Sequence, residues 1–573
     1  MVKFSVLSKY FEKIDNTSSR LEITSILFDL FSITDKTEIQ SLIYFCQGNI
    51  GPNYLSKDIS IGQSTLISLI SQYTAIPEKE IKEDFLDKGD LGLVIEKSEF
   101  KKKQSTLFTR DLDFLEVFNI FKKISEIEGK GAIDEKQKLL KSVLFNLDST
   151  SAKYIIRFPI GFRLGFSDST IIDALACFGK ENIKEYKQLI TEKYQLVSDL
   201  GLLAKIIFEK GIEKIKNLKI TPFIPIKSQL CERSKSLEEI KERLGTFAID
   251  TKVDGFRQQI HKVGNKVKIY SRQEEDITDM FPDVVENVKK IDHDFIIDCE
   301  AIAYDSENQK YHSFQITITR KRKYDILEKS KELPLHLKVF DCLYLDEKEI
   351  YNLPFIERRK IVEKHFNIND FVKATEIKIT DDVNILEEMF LDRLALGFEG
   401  VICKDLNQPY KAGSRGYSWI KFKKSYKGNL DTIDAVILGY DSGQGKRTEL
   451  GIGALLVGIY DAETDKYYTI AKVGTGLSDD VIRELYERLE KKKLIKKPEY
   501  IVSNIVVDNF VVPEIVVEIN FDEITKSPIH TLKLDSNSLQ GIALRFPRLV
   551  KIRMDRSNKE TTNKKEIEKI STV

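Results

Sequence analysis

One lysine in the sequence stands where it could act as a nucleophile. Lys252 follows the apolar run 247–249 and precedes Asp254 and Gly255, so it lies at the end of a predicted strand. Its amine could form a bond to a substrate only after losing a proton, and a free lysine has a pKa of about 10.4. The same short pattern also arises by chance at the exposed end of an ordinary strand, so the neighbouring residues must decide between the two interpretations.

Further polar side chains follow Lys252 at or just beyond the ends of other predicted strands. If these strands share a sheet, the side chains converge on one crevice. The set consists of Arg257, Arg272, Asp298, Glu300, Asp341, Glu399, Lys421 and Lys423, and the aromatic ring of Phe340 precedes Asp341. Lysines and arginines combined with isolated carboxylates suit a nucleotide phosphate that is bound together with a divalent cation.

Three regions that differ in their pattern of apolar and polar residues must position these side chains. Up to residue 222, apolar residues recur every three and four positions, as in 66–73 and 115–124, which predicts an all-α domain. Over 223–427, short β-branched runs such as 267–270 and 400–403 are predicted strands and alternate with helical segments, which predicts an α+β domain. Over 428–573, predicted strands such as 505–507 dominate and suit a small β-barrel, and a polar lysine-rich stretch at 558–568 is predicted to be a mobile or surface tail.

The composition excludes several classes of protein. The chain has 573 residues, of which 42% are hydrophobic and 31% charged, as in a soluble globular protein of several domains. Its 90 basic and 90 acidic residues cancel, so any affinity for nucleic acid must come from local basic clusters such as 421–427 and 545–556. No apolar run approaches the roughly 20 residues of a membrane span, and the start lacks a signal core. We therefore expect an intracellular protein.

The six cysteines are scattered along the chain and form no Cys-x-x-Cys pair. No histidine lies near them at the spacing of metal ligands. This pattern argues against a zinc site or a disulfide framework. It favours reduced thiols in the core.

Several longer runs resemble the ATP-dependent DNA ligases, and above all the archaeal and eukaryotic replicative ones. These ligases belong to the covalent nucleotidyltransferase superfamily, which also contains RNA ligases and mRNA capping enzymes. Runs 398–404, 410–424 and 543–556 are similar to the family's catalytic motifs and occur in the same order. Runs 61–67, 152–157 and 163–176 are similar to its N-terminal DNA-binding domain, where Arg163 is expected to contact DNA phosphates. The resemblance covers nearly the whole chain and implies an all-α DNA-binding domain, an α+β nucleotidyltransferase (adenylation) domain and an all-β OB-fold domain.

The resemblance implies a reaction in three steps. Lys252 attacks the α-phosphorus of ATP and becomes a lysyl-AMP phosphoramidate, AMP passes to the 5′-phosphate at a nick in duplex DNA, and the 3′-hydroxyl then displaces AMP. Mg²⁺ or Mn²⁺ is expected to assist each step. Positive neighbours such as Arg257, Lys421 and Lys423 favour the neutral amine by like-charge repulsion.

The same resemblance assigns further roles. Glu399 and Glu300 are expected to hold the metal, Glu300 also binds the ribose, and Phe340 stacks on the adenine. Asp250 stands where the family usually has a longer glutamate that contacts the base, so the effect of this exchange on the choice of ATP is open. The remaining expected ligands of the sugar and phosphates are Arg257, Arg272, Arg415, Lys421, Lys423, Arg545 and Arg548.

A short motif at Gln104, Leu107 and Phe108 resembles the peptide with which replication enzymes bind a sliding clamp. It follows the basic run 101–103, and exposed apolar residues after such a run favour a binding peptide over a core helix. We therefore expect nicked duplex DNA and a sliding clamp as partners of a monomeric enzyme.

Two alternatives stay open from the sequence. An RNA ligase or mRNA capping enzyme shares the Lys-x-Asp-Gly motif, although the long helical N-terminal region argues against both. A catalytically silent DNA-binding scaffold is the alternative from another class. The presence of every expected catalytic group argues against that scaffold.

Overall fold

The computed structural model describes residues 1–55, 58–97, 110–162, 164–234, 236–312, 314–322, 324–423, 432–534 and 538–570. The chain divides into two compact units. The first contains 1–61, 106–151 and 161–427, and the second contains 62–105, 152–160 and 428–573. Among the described residues, no helix combines the length and the apolar character that crossing a membrane requires.

The N-terminal region is helical, as predicted. Its helices are α1 (Phe4–Asp15), α2 (Arg20–Ser32), α3 (Ile39–Cys46), α4 (Gln63–Thr74), α5 (Glu78–Lys88), α6 (Leu91–Lys97), α7 (Phe114–Glu126), α8 (Ala132–Leu144), α9 (Ser149–Arg157), α10 (Asp168–Ala176), α11 (Ile183–Val197) and α12 (Leu200–Lys210). The side chains of Ser19 and Asp199 cap α2 and α12 by accepting hydrogen bonds from backbone N–H groups, which satisfies donors that a helix start leaves free. In the first unit, the ring of Phe45 packs against those of Phe4 and Phe114.

The middle of the chain alternates strands and helices. The strands are β1 (Leu230–Arg233), β2 (Phe247–Lys252), β3 (Phe256–Val263), β4 (Lys266–Ser271), β5 (Phe295–Asp305), β6 (Lys310–Tyr311), β7 (Leu335–Leu345), β8 (Lys348–Glu349), β9 (Val372–Ala374), β10 (Ile377–Thr380), β11 (Gly400–Asp405) and β12 (Arg415–Lys423). The helices between them are α13 (Leu237–Leu244), α14 (Pro282–Lys289), α15 (Phe314–Thr317), α16 (Ile326–Glu332), α17 (Phe355–His365) and α18 (Val383–Ala395).

These strands form two sheets in the first unit. One has the order β1-β12-β11-β2-β10, and the other has the order β4-β3-β5-β7-β8 with β6 on β5 and β9 on β7. Ile249 and Val401 pack with Phe390 of α18 on one face of the first sheet. Because side chains alternate along a strand, the opposite face carries the polar residues of β2, β11 and β12.

The second unit contains the β-rich C-terminal region. Its strands and helices are β13 (Thr432–Ser442), β14 (Ile452–Asp461), β15 (Lys466–Val473), α19 (Asp479–Glu490), β16 (Ile501–Val502), β17 (Asn509–Phe510), β18 (Val516–Asn520), β19 (Glu523–Ser527), β20 (Gly541–Arg545), β21 (Arg548–Arg553) and α20 (Lys564–Ile570). The main sheet has the order β16-β15-β14-β13-β18-β21, with β17 on β13, and β19 pairs with β20. Ile437, Leu455 and Leu485 share its core.

Two predictions for this region are wrong. Residues 564–570 form α20 instead of a surface tail, because Ile567 is buried in the core and Lys564 pairs with Asp461 at 3.2 Å. The strand predicted at 505–507 does not form, and Val506 is exposed. Turn-forming residues on both sides of this run end the strand pairing.

Candidate active site

Strand register brings the predicted lysines into neighbouring positions. Lys252 on β2 pairs with Gly400 on β11, which pairs in turn with Lys423 on β12. Asp250 and Lys421 lie in the next row on the same face, two residues away along their strands. Lys252, Asp250, Lys421 and Lys423 therefore share one face of the first sheet, as the alternation of side chains predicts for the two β12 lysines.

Glu399 joins two of these lysines. Its carboxylate forms ion pairs with the Nζ atoms of both Lys252 and Lys423, and its backbone N–H donates to the carbonyl of Lys252 at 3.1 Å. Gly400 makes this approach possible, because a Cβ there would lie 2.2 Å from the carbonyl oxygen of Phe422 and its φ is +145°. One carboxylate thus holds two ammonium groups in place.

The second sheet contributes the residues next to Lys252. Arg257 on β3 pairs with Glu300 on β5, and a Cβ on Gly255 would lie 2.2 Å from the carbonyl oxygen of Ala301. The glycine after the lysine is therefore required for the close approach of the chain to β5.

The pKa of Glu300 depends on its burial and on the charged groups around it. Burial raises the pKa of Glu300, and the charge of Asp254 raises it as well. The charges of Lys252, Arg257 and Arg272 lower it, and the net value is about 7. These three cations therefore lie within electrostatic range of the Glu300 carboxyl group.

Arg257 is held firmly by its neighbours. Its guanidinium pairs with Asp298, donates to the Tyr410 hydroxyl at 2.8 Å and to the Gln229 carbonyl at 3.1 Å, and lies 5.1 Å from the centre of the Phe340 ring. Burial alone lowers the pKa of Arg257, but the nearby Asp298 raises it above its ordinary value. The guanidinium is thus charged, with much of its hydrogen-bonding capacity used inside the protein.

Asp250 is paired with a lysine that the sequence reasoning missed. Nζ of Lys404 lies 2.6 Å from Oδ2 of Asp250, and both side chains are at most 2% exposed. The same ammonium lies 4.4 Å from the Trp419 ring and 5.2 Å from the Phe340 ring. Oδ1 of Asp250 is buried and has no hydrogen-bond partner within the described residues. The place of Lys404 in the run 398–404, on the same face as Lys252, is the signal that could have identified it.

Positive charge gathers along β12. Burial lowers the pKa of Lys421, and repulsion from Arg233, Lys252 and Arg415 lowers it further. Arg233 on β1 is opposite Lys421 in the register and was also missed, because its strand shows no motif. This side of the site therefore suits a polyphosphate.

The structure corrects the expectation that the site lies at strand ends. Asp298 and Glu300 lie inside β5, and Phe340 lies inside β7, because these strands are 11 residues long. The site is formed by the faces of two sheets rather than by one edge. Asp341 is not part of it, since its carboxylate binds the guanidinium of Arg358 at 2.8 and 3.0 Å.

The other predicted residues are distributed as follows. Arg272 is exposed just after β4 and acts on Glu300, as described above. Arg545 and Arg548 belong to the second unit, where they pair with Glu523 and Asp522. The clamp motif residues Gln104, Leu107 and Phe108, together with Arg163 and the run 424–427, lie outside the described residues.

The carboxylates fit a divalent cation only together with a substrate. Among the described residues, no group of three or more His, Cys, Asp or Glu side chains could hold a metal. Mg²⁺ commonly takes one or two carboxylates and completes its shell with waters and substrate phosphates. Glu399 and Glu300 meet that requirement, because each presents one carboxyl group beside the basic residues.

Three family models match successive parts of the chain. The model "DNA ligase N terminus" matches residues 3–176, "ATP dependent DNA ligase domain" matches 228–423, and "ATP dependent DNA ligase C terminal region" matches 448–556. The chain belongs to the ATP-dependent DNA ligase family. This ligase joins nicks in DNA through an adenylate intermediate, as its family does, and it binds nicked DNA as its substrate.

Full-length relatives support this assignment. A protein named "Probable DNA ligase" from Dictyoglomus turgidum is 40% identical over 98% of this chain and 96% of its own. A "DNA ligase" from Sulfolobus acidocaldarius is 38% identical over 99% of this chain and 97% of its own. The solved structure named Pmar-Lig_PreS3 is similar in fold, with a TM-score of 0.55 and 18% identity over 95% of this chain and 99% of its own. The RNA ligase, mRNA capping and scaffold alternatives are not supported.

Proposed function

We propose that Lys252 is the residue that carries AMP in this ligase. The observation that supports it best is the row formed by Lys252, Gly400 and Lys423, in which Glu399 contacts both ammonium groups. Nζ of Lys252 forms the bond to the α-phosphorus of ATP, and the bond from that phosphorus to the pyrophosphate oxygen breaks.

The basic residues around Lys252 serve the phosphates. Lys421 and Lys423 neutralise the charge on the α-phosphate as it passes through its five-coordinate state. Arg272 and Arg415 are exposed and are available to the more distant phosphates. Binding of the triphosphate must compete with Glu399 for the two lysines, which leaves Lys252 among cations and favours its neutral amine.

The adenosine part of ATP is bound by a second group of side chains. Phe340 stacks on the adenine, and the buried Oδ1 of Asp250 accepts a hydrogen bond from the adenine amino group. Glu300 binds the ribose hydroxyls. Arg257 holds Asp298 and Tyr410 around this pocket and contacts the sugar side.

Glu399 and Glu300 would hold a divalent cation, which would neutralise negative charge at the phosphates. Mg²⁺ suits these oxygen ligands, and Mn²⁺ is the close substitute. The reaction requires such a cation because the triphosphate and the DNA phosphate are both negatively charged and both react in this site.

The rest of the chain serves the DNA substrate. We assign 1–222 to an all-α DNA-binding domain, 223–427 to the adenylation domain and 428–573 to an OB-fold domain whose Arg545 and Arg548 contact the triphosphate. The β-rich sheet of the second unit supports the last assignment. The enzyme acts as a monomer inside the cell, where DNA is kept, and the motif at Gln104, Leu107 and Phe108 binds a sliding clamp.

Labelling with α-³²P-ATP and Mg²⁺ tests the role of Lys252. Wild type and a Lys360→Ala control, which alters an exposed lysine of α17, are expected to form labelled protein, whereas Lys252→Ala is not. After a chase with nicked duplex DNA, the label leaves as AMP while the nick is sealed. Pyrophosphate treatment first removes any AMP already bound. Labelled Lys252→Ala protein would show that another residue carries AMP.

A further inference from the structure

The face of the second sheet that carries Phe340 continues into a group of side chains without an assigned role. On β7, His336, Lys338 and Phe340 alternate with Leu337 and Val339, which belong to the core. Lys338 is directly opposite Glu300 in the register of β5 and β7. We call this group the Lys338 cluster, and its members are Tyr304, Tyr311, His336, Lys338, Lys373 and Phe398.

Aromatic rings form the floor of the Lys338 cluster. Tyr304 stacks on His336 with ring centres 4.2 Å apart, and Tyr311 packs against Phe398 at 5.8 Å. Nζ of Lys338 lies 5.0 Å from the centre of the Tyr311 ring. All five of these side chains are partly exposed, so they present ring surface next to a cation instead of closing a core.

The two lysines of the cluster repel each other. Lys338 and Lys373 are directly opposite each other on β7 and β9, and like charges in such positions repel. Burial and the charge of Lys373 lower the pKa of Lys338, while the charges of Glu376 and Asp370 raise it. Within the described part of the chain, neither lysine forms an ion pair. A bound anion would remove this repulsion.

A second polar group in the cluster also lacks a partner. Nδ1 of His336 is buried and makes no hydrogen bond to any described residue. Burial, together with the charge of Lys338, lowers the pKa of His336 to about 4, so its ring is neutral at physiological pH. The positive charge of the cluster therefore comes from the two lysines alone.

We propose that the Lys338 cluster binds the sugar–phosphate backbone of the nicked DNA strand next to the adenylate. A phosphate lies between Lys338 and Lys373, and the rings of Tyr304 and Tyr311 contact the neighbouring sugar, since aromatic side chains and cations together form surfaces that follow a nucleic-acid strand. This inference rests on the proposed function only for the position of the adenylate at Lys252.

A phosphate of ATP is the other anion that could bind between the two lysines of the Lys338 cluster. The position of the cluster favours DNA, because Lys421, Lys423 and Arg415 on the first sheet already supply cations for the triphosphate. Lys338 instead belongs to the second sheet, where it lies opposite Glu300 on the neighbouring strand. If the cluster binds DNA, changing it affects the binding of nicked DNA. If the cluster binds ATP, changing it affects the formation of protein-AMP.

Two variants and one control distinguish these two possibilities in the full-length enzyme. Lys338→Ala removes one cation, and Lys373→Glu places a carboxylate opposite Lys338 and neutralises it internally. Both changes remove the repulsion between the two lysines, which in Lys338→Ala offsets the lost contact of Lys338 with the Tyr311 ring, so the melting temperature of each variant should stay close to that of wild type. Lys360→Ala removes an exposed lysine of α17 and serves as the matched control.

The measurements follow each step separately. Protein-AMP formation and its KM for ATP are expected to stay at wild-type values in all three variants. The affinity of adenylated protein for nicked duplex should fall about tenfold in Lys338→Ala and Lys373→Glu, and the slope of log K against log salt should decrease by about 1 for each lost contact. The Lys360→Ala control should change neither value.

Two results would overturn the inference. Unchanged DNA affinity and salt slope in both variants would show that the cluster does not bind DNA, and a raised KM for ATP with normal DNA affinity would assign it to the triphosphate. Failure of the proposed function gives a different result, namely labelling of Lys252→Ala protein. Even if Lys252 does not carry AMP, the affinity of Lys338→Ala for nicked DNA still tests whether the cluster binds DNA.

Discussion

Replacing Lys404 by methionine perturbs the most deeply buried ion pair of the proposed adenine pocket. The ammonium of Lys404 and the carboxylate of Asp250 are 1% and 2% exposed, and the atoms Nζ and Oδ2 are 2.6 Å apart. Lys404→Met keeps most of the side-chain volume but leaves the carboxylate buried without its cation. Because Oδ1 of Asp250 already lacks a hydrogen-bond partner among the described residues, the change removes the ion pair that holds the other oxygen. The free energy of unfolding should fall by about 3–5 kcal/mol.

A tryptophan close to Lys404 allows the stability of this region to be measured by fluorescence. Trp419 is the single tryptophan and lies 4.4 Å from Nζ of Lys404, so its fluorescence reports the unfolding of this region during a urea titration. A double variant, Asp250→Asn with Lys404→Met, removes both charges and should recover most of the lost stability. Lys360→Met, at an exposed position on α17, should stay within about 0.5 kcal/mol of wild type.

The reasoning would be refuted by either of two results. A loss below about 1 kcal/mol for Lys404→Met would mean that the buried carboxylate does not depend on this cation. Additive losses in the double variant would mean that the two side chains do not interact energetically.

Three further predictions concern other parts of the chain. Burial raises the pKa of folded Glu300 to about 7, above its ordinary value of 4.5, so its contribution to stability is complete below about pH 4.5 and is lost as the pH rises through 7. Urea titrations should therefore show wild type losing stability relative to Glu300→Gln over that interval, and a constant difference would contradict this. Gly400→Ala places a Cβ 2.2 Å from the carbonyl of Phe422, so the rate of protein-AMP formation should fall about a hundredfold, and wild-type labelling kinetics would disprove the steric argument. Phe108→Ala should weaken binding to the clamp and leave nick joining without the clamp intact; unchanged clamp affinity in a binding titration would dismiss the clamp motif.

Much of the fold could be predicted from local patterns. The β-branched runs at 267–270 and 400–403 are strands, and the periodic run at 115–124 lies within a helix, as predicted. Periodicity works in these cases because one face of each element is buried against a core. It fails at 564–570, where a single buried isoleucine, Ile567, anchors a helix that composition alone classifies as a polar tail.

The candidate site was predicted less completely, and the reason is geometric. Lys252 and Lys423 could be recognised because motifs contain them, and strand register then places them in one row. Arg233 has no such motif, and its role follows only from the pairing of β1 with β12. The opposed charges of Lys338 and Lys373 likewise arise from a strand pairing between two residues that are 35 positions apart in the sequence. The register between strands that are distant in the sequence cannot be predicted from any short stretch of residues.

The ion pairs of Glu399 have a consequence for the enzyme at rest. The Nζ atom of Lys252 is engaged in an ion pair with Glu399, and an ammonium group in such a pair has no free electron pair with which to attack aldehydes, carbon dioxide or acyl donors. The nucleophile is thus chemically masked until a polyanion competes for the same cations. The free amine of Lys252 thereby stays intact in the interval between the release of AMP at a sealed nick and the binding of the next ATP.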